Sequence, residues 1–235
     1  MTTRTTERRS PSPRAIASDR RRRGLRLGAA LLTTALYPLP ALAQELPTGG
    51  TVVSGGAAIA TPGAGRMQVT QTTPRAIVEW NGFGVGAGGA VDFAQPGADS
   101  AVLNRVTGPL GSRIDGTLTG NGQVILVNPH GVVVGPSGRV ETGSFVASTL
   151  DIDNADFEAG QLRFSGTGAS APVANHGTIA VAQGGFAALL GGKVTNTGTI
   201  TAPMGRIGLG AGERATLDLT GDGFLQIALP SETDE

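Results

Sequence analysis

The clearest pattern of apolar and polar positions lies in the last third of the chain. VANHGTIAVAQGGFAALLGG (Val173 to Gly192) is followed by VTNTGTITAPMGRIGLGAG (Val194 to Gly212), and the two segments match at an offset of 21 residues. The matches are Val173 with Val194, Asn175 with Asn196, Gly177 with Gly198, Thr178 with Thr199, Ile179 with Ile200, Gly184 with Gly205 and Gly191 with Gly212. A period of about 20 residues signals a stacked repeat. Inside each repeat the apolar positions alternate: Phe186, Ala188 and Leu190 share a face, as do Ile207, Leu209 and Ala211. Period two is the signature of a strand. Because large and small residues exchange places between the two copies, their side chains are expected to stack and fill one common interior.

The pattern predicts an all-β parallel β-helix, each coil pairing with the one below. A leucine-rich repeat has a similar period, but its L-x-x-L-x-L signature and helical segment are missing. Gly and Asn at the corners suit the bends, and Asn175 over Asn196 can hydrogen-bond along the axis. Upstream the repeat decays but short strand candidates persist between Gly, Pro, Asn and Asp: AIVEW (76–80), AVDF (90–93), QVILV (123–127), GVVVG (131–135) and SFVAS (144–148). Residues 151–160 could hold a brief helix or an excursion loop. In the third coil the register decays. A further alternating strand with Leu225, Ile227 and Leu229 on one face precedes Pro230 with nothing evident to cover it, so either the next coil of a longer exoprotein stacks there, or Pro230 and the terminal acids of a short form deter stacking by a missing donor and by charge.

Composition narrows the functional classes. The 38 Gly must serve either disorder or a fold with a turn every few residues, and the low charge (15%) and recurrent Val, Ile and Leu favour the second. The formal net charge of zero conceals a division. Nine Arg and two acids precede residue 44. From there on nine basic residues face sixteen acids, a net charge of −7. The first part reads as a cleaved export signal over residues 1–43: Arg20 to Arg23 and Arg26, an apolar run from Leu27 to Leu36, two prolines and Ala41-Leu42-Ala43. The apolar run is well short of the roughly 18 residues a membrane span requires. Arg22-Arg23 hints at the twin-arginine route, which is disfavoured because a pre-folded solenoid is hard to thread through a second membrane. Absence of Cys fits export. An acidic mature chain without a basic patch argues against nucleic acid as a partner.

Several motifs look chemical. Gly84, Gly86 and Gly89 satisfy G-x-G-x-x-G, but no helix follows to receive a pyrophosphate. Asp151, Asp153, Asn154 and Asp156 resemble a calcium loop lacking its turn glycine and its bidentate glutamate. Neither His130 nor His176 accompanies a nucleophile elbow. β-Helical lyases and hydrolases align carboxylates with Lys or Arg, whereas Lys193 is the only Lys here and the acids are scattered. No enzyme, catalytic residue, metal or cofactor is therefore expected. The Asn128-Pro129-His130-Gly131 stretch suits a type I turn, which tolerates many residues at its first position, so Asn128 would matter to stability by about 1 kcal/mol.

At these residues the chain resembles a family. AIVEWNGFGVGAGGAVDF (76–93), AVLNRVTG (101–108), GQVILVNPHGVVVGPSGRV (122–140), FVASTLDI (145–152), NADF (154–157) and GERATLDLTGDG (212–223) are similar to the two-partner-secretion, or haemagglutination-activity, domain of filamentous-haemagglutinin-type exoproteins. The resemblance covers residues 44–235. It implies a single-stranded right-handed parallel β-helix with an N-terminal cap. It also implies export through the periplasm and recognition of the unfolded segment by an outer-membrane Omp85-type β-barrel transporter, delivering the protein to the cell surface or medium. The family turn is NPNG, so Asn128, Pro129 and Gly131 carry over directly as recognition residues, and His130 joins them as a candidate although it stands where the family has Asn. NPNL is absent, and Asn104 in LNRVTG is the nearest other carry-over. Adhesion to surface glycans or receptors is the downstream activity such families imply. A carbohydrate-active β-helix enzyme and a passive surface solenoid are the alternatives.

Overall fold

The computed structural model describes residues 45–219, 221 and 223–228. The basic and apolar start, the Ala43 site, and Leu229, Pro230 and the terminal acids lie outside the described residues. The chain opens with β1 (Thr51–Ser54), β2 (Ala57–Gly63), β3 (Arg66–Gln71) and β4 (Arg75–Trp80), where β2 runs antiparallel to β3 and β1 antiparallel to β4. The antiparallel strands β1 and β2 are the N-terminal cap. Then β5 (Ala90–Ala94), β6 (Ala101–Val106), β7 (Ser112–Ile114), β8 (Thr117–Val127), β9 (Val132–Val134) and β10 (Arg139–Ser148) wind upward in parallel. The chain next leaves the coil as β11 (Asp151–Ile152), α1 (Asn154–Glu158) and β12 (Leu162–Ser165). It returns as β13 (Pro172–Asn175), β14 (Thr178–Val181), β15 (Phe186–Gly191), β16 (Lys193–Asn196), β17 (Thr199–Thr201) and β18 (Arg206–Ala211), and departs again as β19 (Arg214–Leu217) and β20 (Leu225–Ala228).

The result is a parallel β-helix of about 7 turns. One face stacks β3, β5, the first half of β8, the first half of β10, β14 and β17. A second stacks β4, β6, the second halves of β8 and β10, β15 and β18. The third stacks β7, β9, β13 and β16. Every strand proposed from the sequence is present, and residues 154–158 do form a helix, capped by Asp153, whose carboxylate accepts from the Ala155 amide.

The second face explains why its strands read as nearly continuous apolar runs, for it is buried on both sides. Val78, Val102, Val124, Leu126, Phe145, Ala147, Ala187 and Leu189 point into the solenoid. Ile77, Leu103, Ile125, Val127, Val146, Ala188 and Leu190 point out, into a second core under Phe157, Leu162, Phe164, Ala215 and Leu217. That second core is closed by an antiparallel sheet, β11-β12-β19-β20, laid on the outside of the solenoid. Each fully buried Val, Leu, Ile or Phe contributes roughly 1.5–3 kcal/mol.

Two expectations are corrected here. The offset of 21 holds from Val173↔Val194 to Ala180↔Thr201 but falls to 20 at Phe186↔Arg206. The second copy is one residue shorter at the corner, and a one-residue slip reverses every side chain. Leu189 therefore stacks on Leu209 and Ala188 on Gly208. The face shared by Phe186, Ala188 and Leu190 belongs to the outer core, not to the interior. At the shortened corner Met204 takes up a left-handed conformation, φ 51°, as Gly184 does in the preceding coil, φ 78°. The second correction concerns Leu225 and Ile227, which do not offer the site for a next coil. β20 turns back antiparallel on β19, and Leu225 and Ile227 pack over Gly208 and Gly210, where a Cβ at Gly210 would strike Ile227 and one at Gly208 would crowd Leu225.

Polar side chains at the corners stack as the interior does. The Asn175 amide donates to the Asn196 side-chain oxygen at 2.8 Å, and His176 meets Thr197 at an exposed corner, as the repeat implied. Gln95 donates to Gln71 at 3.0 Å and accepts from the Gly122 amide, which turns another corner into a ladder. Thr142 is the exception: its hydroxyl is buried in the interior between Gly120 and Val181 and has no partner among the described residues. Thr142→Val keeps the shape and removes the orphan oxygen. It should raise stability by about 1 kcal/mol in urea titration, and a loss instead would show that the hydroxyl is satisfied.

Glu213 fixes the loop that returns from the outer sheet. Its carboxylate accepts from the Ser170 hydroxyl at 2.7 Å and from the Ser170 and Gly168 amides at 2.9 and 3.0 Å. These bonds, the Ser170 hydroxyl first, hold its pKa below the usual glutamate range. Because the folded value is depressed, the clamp is present above the ordinary glutamate pKa and is lost as pH falls through the lower folded value. The amide resonances of Gly168 and Ser170 should titrate with a midpoint below the ordinary glutamate range, and a midpoint within it would show that no clamp exists.

Candidate transporter-recognition site

The Asn128-Pro129-His130-Gly131 turn joins β8 to β9 at a corner of the solenoid. The Gly131 amide donates to the Asn128 carbonyl at 3.1 Å, closing the turn, and Gly131 has φ 114°, a conformation costly for any residue with a Cβ. Pro129 and His130 are exposed, whereas Asn128 is fully buried. Its side-chain amide donates to the Leu110 carbonyl and the Ser112 hydroxyl, both at 2.9 Å, and its oxygen accepts from the His130 amide at 2.9 Å. Its backbone amide donates to the Ser148 carbonyl one coil further on. Asn128 thus ties three successive coils together.

This corrects the expectation that a turn's first position is tolerant. A free-standing type I turn makes no demand on that side chain, but here the coil below supplies two acceptors that only a carboxamide at this height can satisfy. Leu110 and Ser112 were not singled out in the sequence. A polar residue next to a proline turn one coil above another Gly-Pro loop is the signal that could have found them.

Asn104 lies in the strand face, opposite Leu126 in register, and is also fully buried. Its oxygen accepts from the indole nitrogen of Trp80 at 3.0 Å, and its amide donates to the Ile125 carbonyl at 3.3 Å. The two asparagines therefore sit in neighbouring coils without a bond between them. They do not form one surface site, and both side chains are hydrogen-bonded inside the fold. Beside Asn104, Arg105 anchors the excursion: it reaches Asp151 at 2.9 Å, Asn154 at 2.7 Å and the Ile152 carbonyl at 2.6 Å.

The remaining motifs have structural explanations. Asp151 serves Arg105, Asp153 caps α1 and Asp156 faces Arg163, so the calcium-like run is occupied by the protein itself. Among the described residues, no three His, Asp or Glu side chains converge as a metal site would require. Gly84 and Gly86 accommodate the backbone and side chain of Glu45. Asp115 pairs with Arg113 and Glu141 with Arg139.

A capped parallel β-helix with an outer antiparallel sheet and an Asn-Pro-x-Gly corner anchored by its buried asparagine defines a class of β-solenoid domains. Within it, the family model for the TPS secretion domain matches residues 43–230, and the chain belongs to that family. The crystal structure of the HMW1 secretion domain from Haemophilus influenzae is similar, with a TM-score of 0.71 and 36% sequence identity over 78% of this chain and 50% of that one. A heme/hemopexin-binding protein of the same species is 34% identical over 208 residues, covering 85% of this chain but 22% of the relative. A second heme/hemopexin-binding protein is 30% identical over 135 residues. The chain thus spans less than a quarter of the length of these curated relatives. Membership makes it the secretion domain of an exoprotein.

Proposed function

We propose that residues 44–235 are the targeting module of a surface or released exoprotein, and that the segments around Asn104 and Asn128 to Gly131 are what its Omp85-type transporter reads before the coils close. The observation that carries this reading is the burial of both asparagines. In the folded domain their amides are committed to Trp80, Ile125, Leu110, Ser112 and His130. A partner that uses those side chains must meet them in the unfolded chain.

Residues 1–43 act in this reading as the export signal, cut after Ala43. The role is non-catalytic, and adhesion to surface glycans or receptors belongs to exoprotein sequence outside the matched domain. The test is release of the chain into the medium from cells with and without the cognate transporter. Release should require the transporter, and equal release in its absence would overturn the proposal.

A further inference from the structure

The outer sheet β11-β12-β19-β20 buries one face on the second core and leaves the other open. In register, Arg163 on β12, Thr216 on β19 and Gln226 on β20 form one row across the open face, and Ser165, Arg214 and Ala228 form the next. Neighbouring strands lie about 4.8 Å apart, so each row sets its side chains at that spacing. These two rows line a recess of about 430 Å³, with Asp153 and Asp156 at its border. That volume falls within the roughly 300–1,000 Å³ of small-ligand sites. The recess has a simple origin in side-chain size. Ser165 and Ala228 put short side chains on either side of Arg214, so neither neighbouring strand covers its guanidinium.

Arg105, Arg113 and Arg139 each reach a carboxylate of the protein itself. Arg214 does not: its side chain, like those of Ser165, Thr216 and Gln226, has no hydrogen bond or ion pair among the described residues. One surface therefore presents a guanidinium fork, a carboxamide and two hydroxyls, none of them bound to a protein group. A guanidinium takes a carboxylate through two parallel hydrogen bonds. Hydroxyls and carboxamides both donate and accept, which is the pairing that sugar hydroxyls require. The spacing within each row is close to the length of one pyranose ring. Charge sets a further limit on the ligand. Asp156 lies 3.5 Å from Arg163 and balances it, so Arg214 is the one uncompensated cation of the recess, and the bordering aspartates repel a densely charged ligand. We propose that the recess binds an oligosaccharide of uronic acids, with a carboxylate on Arg214 and ring hydroxyls on Ser165, Thr216 and Gln226. The site exists only once β20 has closed on β19, so it belongs to the folded domain and does not rest on the targeting reading.

Titration of tetragalacturonate into the isotope-labelled full chain, followed by nuclear magnetic resonance, tests this. Saturable shifts should appear at the amides of residues 163–165, 214–216 and 226. Arg214→Gln should weaken binding about tenfold or more, as loss of a bidentate charged pair requires. Arg139→Gln, which removes a guanidinium from another face, should leave the affinity unchanged. The fully methyl-esterified sugar should bind the parent as weakly as the acid binds Arg214→Gln, and that variant should not distinguish ester from acid. Gln226→Ala should weaken binding by a smaller factor. Unchanged amide shifts outside the outer sheet show that each variant keeps its fold, and if Arg214→Gln does not, the ester and Gln226→Ala decide. Absence of saturable shifts would overturn the proposal. So would an equal loss with Arg139→Gln, or inorganic phosphate binding as strongly at the same amides, since either result means attraction to charge alone. Binding seen only after Glu232→Gln, Asp234→Asn and Glu235→Gln would also overturn it, because the chain's own acids would then be the occupant.

Discussion

Asn128→Ala should lower the stability of residues 44–235 by about 3 kcal/mol and abolish their release by the transporter. The stability loss follows from what the substitution leaves behind. The Leu110 carbonyl and the Ser112 hydroxyl lose their donor and the His130 amide loses its acceptor, at a buried corner where each unsatisfied group costs about 1–3 kcal/mol. His130→Asn, at the exposed neighbouring position, should change stability by less than about 0.5 kcal/mol. Urea titration of the three proteins checks the pair of expectations, and a midpoint for Asn128→Ala equal to the parent's would show that the corner network is not a structural element. The two roles of Asn128 are separated in the unfolded chain. Peptides of residues 122–140 cannot form the solenoid, so weaker binding of the peptide carrying Asn128→Ala to the transporter's periplasmic domains would report recognition alone. Equal binding would leave Asn128 a purely structural residue and move recognition elsewhere in the chain.

The double substitution Ile207→Lys with Leu209→Lys should abolish self-association of residues 44–235 in sedimentation velocity at high protein concentration. These two side chains follow Ala187 and Leu189 in the inward-facing stacks, yet each is 47% exposed because no described residue lies beyond them. Val194, Ile200 and Ala202 share that end and are only partly buried. The edges of β16, β17 and β18 carry backbone groups without strand partners on that side among the described residues, a template for further pairing. Apolar surface and open edges together should drive association at this end, and charged side chains there should oppose it. Leu225→Lys is the contrasting variant. Leu225 and Ile227 belong to the outer sheet, so a charge at 225 should loosen that sheet from the solenoid without breaking the association. A parent protein that sediments as a monomer at all concentrations would overturn the expectation.

Much of the architecture was legible in the residues because a solenoid is built from local rules. The offset between Val173 and Val194, the alternation within each coil, and glycine or asparagine at each bend state the strand period and the stacking, and Asn175 sits over Asn196 as that spacing required. The secretion family was likewise legible, since its motifs are spread along one linear track.

What the chain could not disclose locally were features that depend on a neighbour from another coil. The slip from 21 to 20 at Phe186 follows from a single missing residue at the corner before Met204, which no pattern of apolar positions exposes, because both faces of β15 are apolar. Those two apolar faces exist because an outer sheet, assembled from residues 151–165 and 214–228, covers the second one. Asn128 looked like an ordinary turn residue until Leu110 and Ser112, nearly a full coil earlier, were placed beneath its amide. The repeat, the strands and the family are written in the order of the residues. Which face of each strand is interior, and which polar side chains are sealed, emerges only on folding, because both depend on vertical contacts between residues about twenty positions apart.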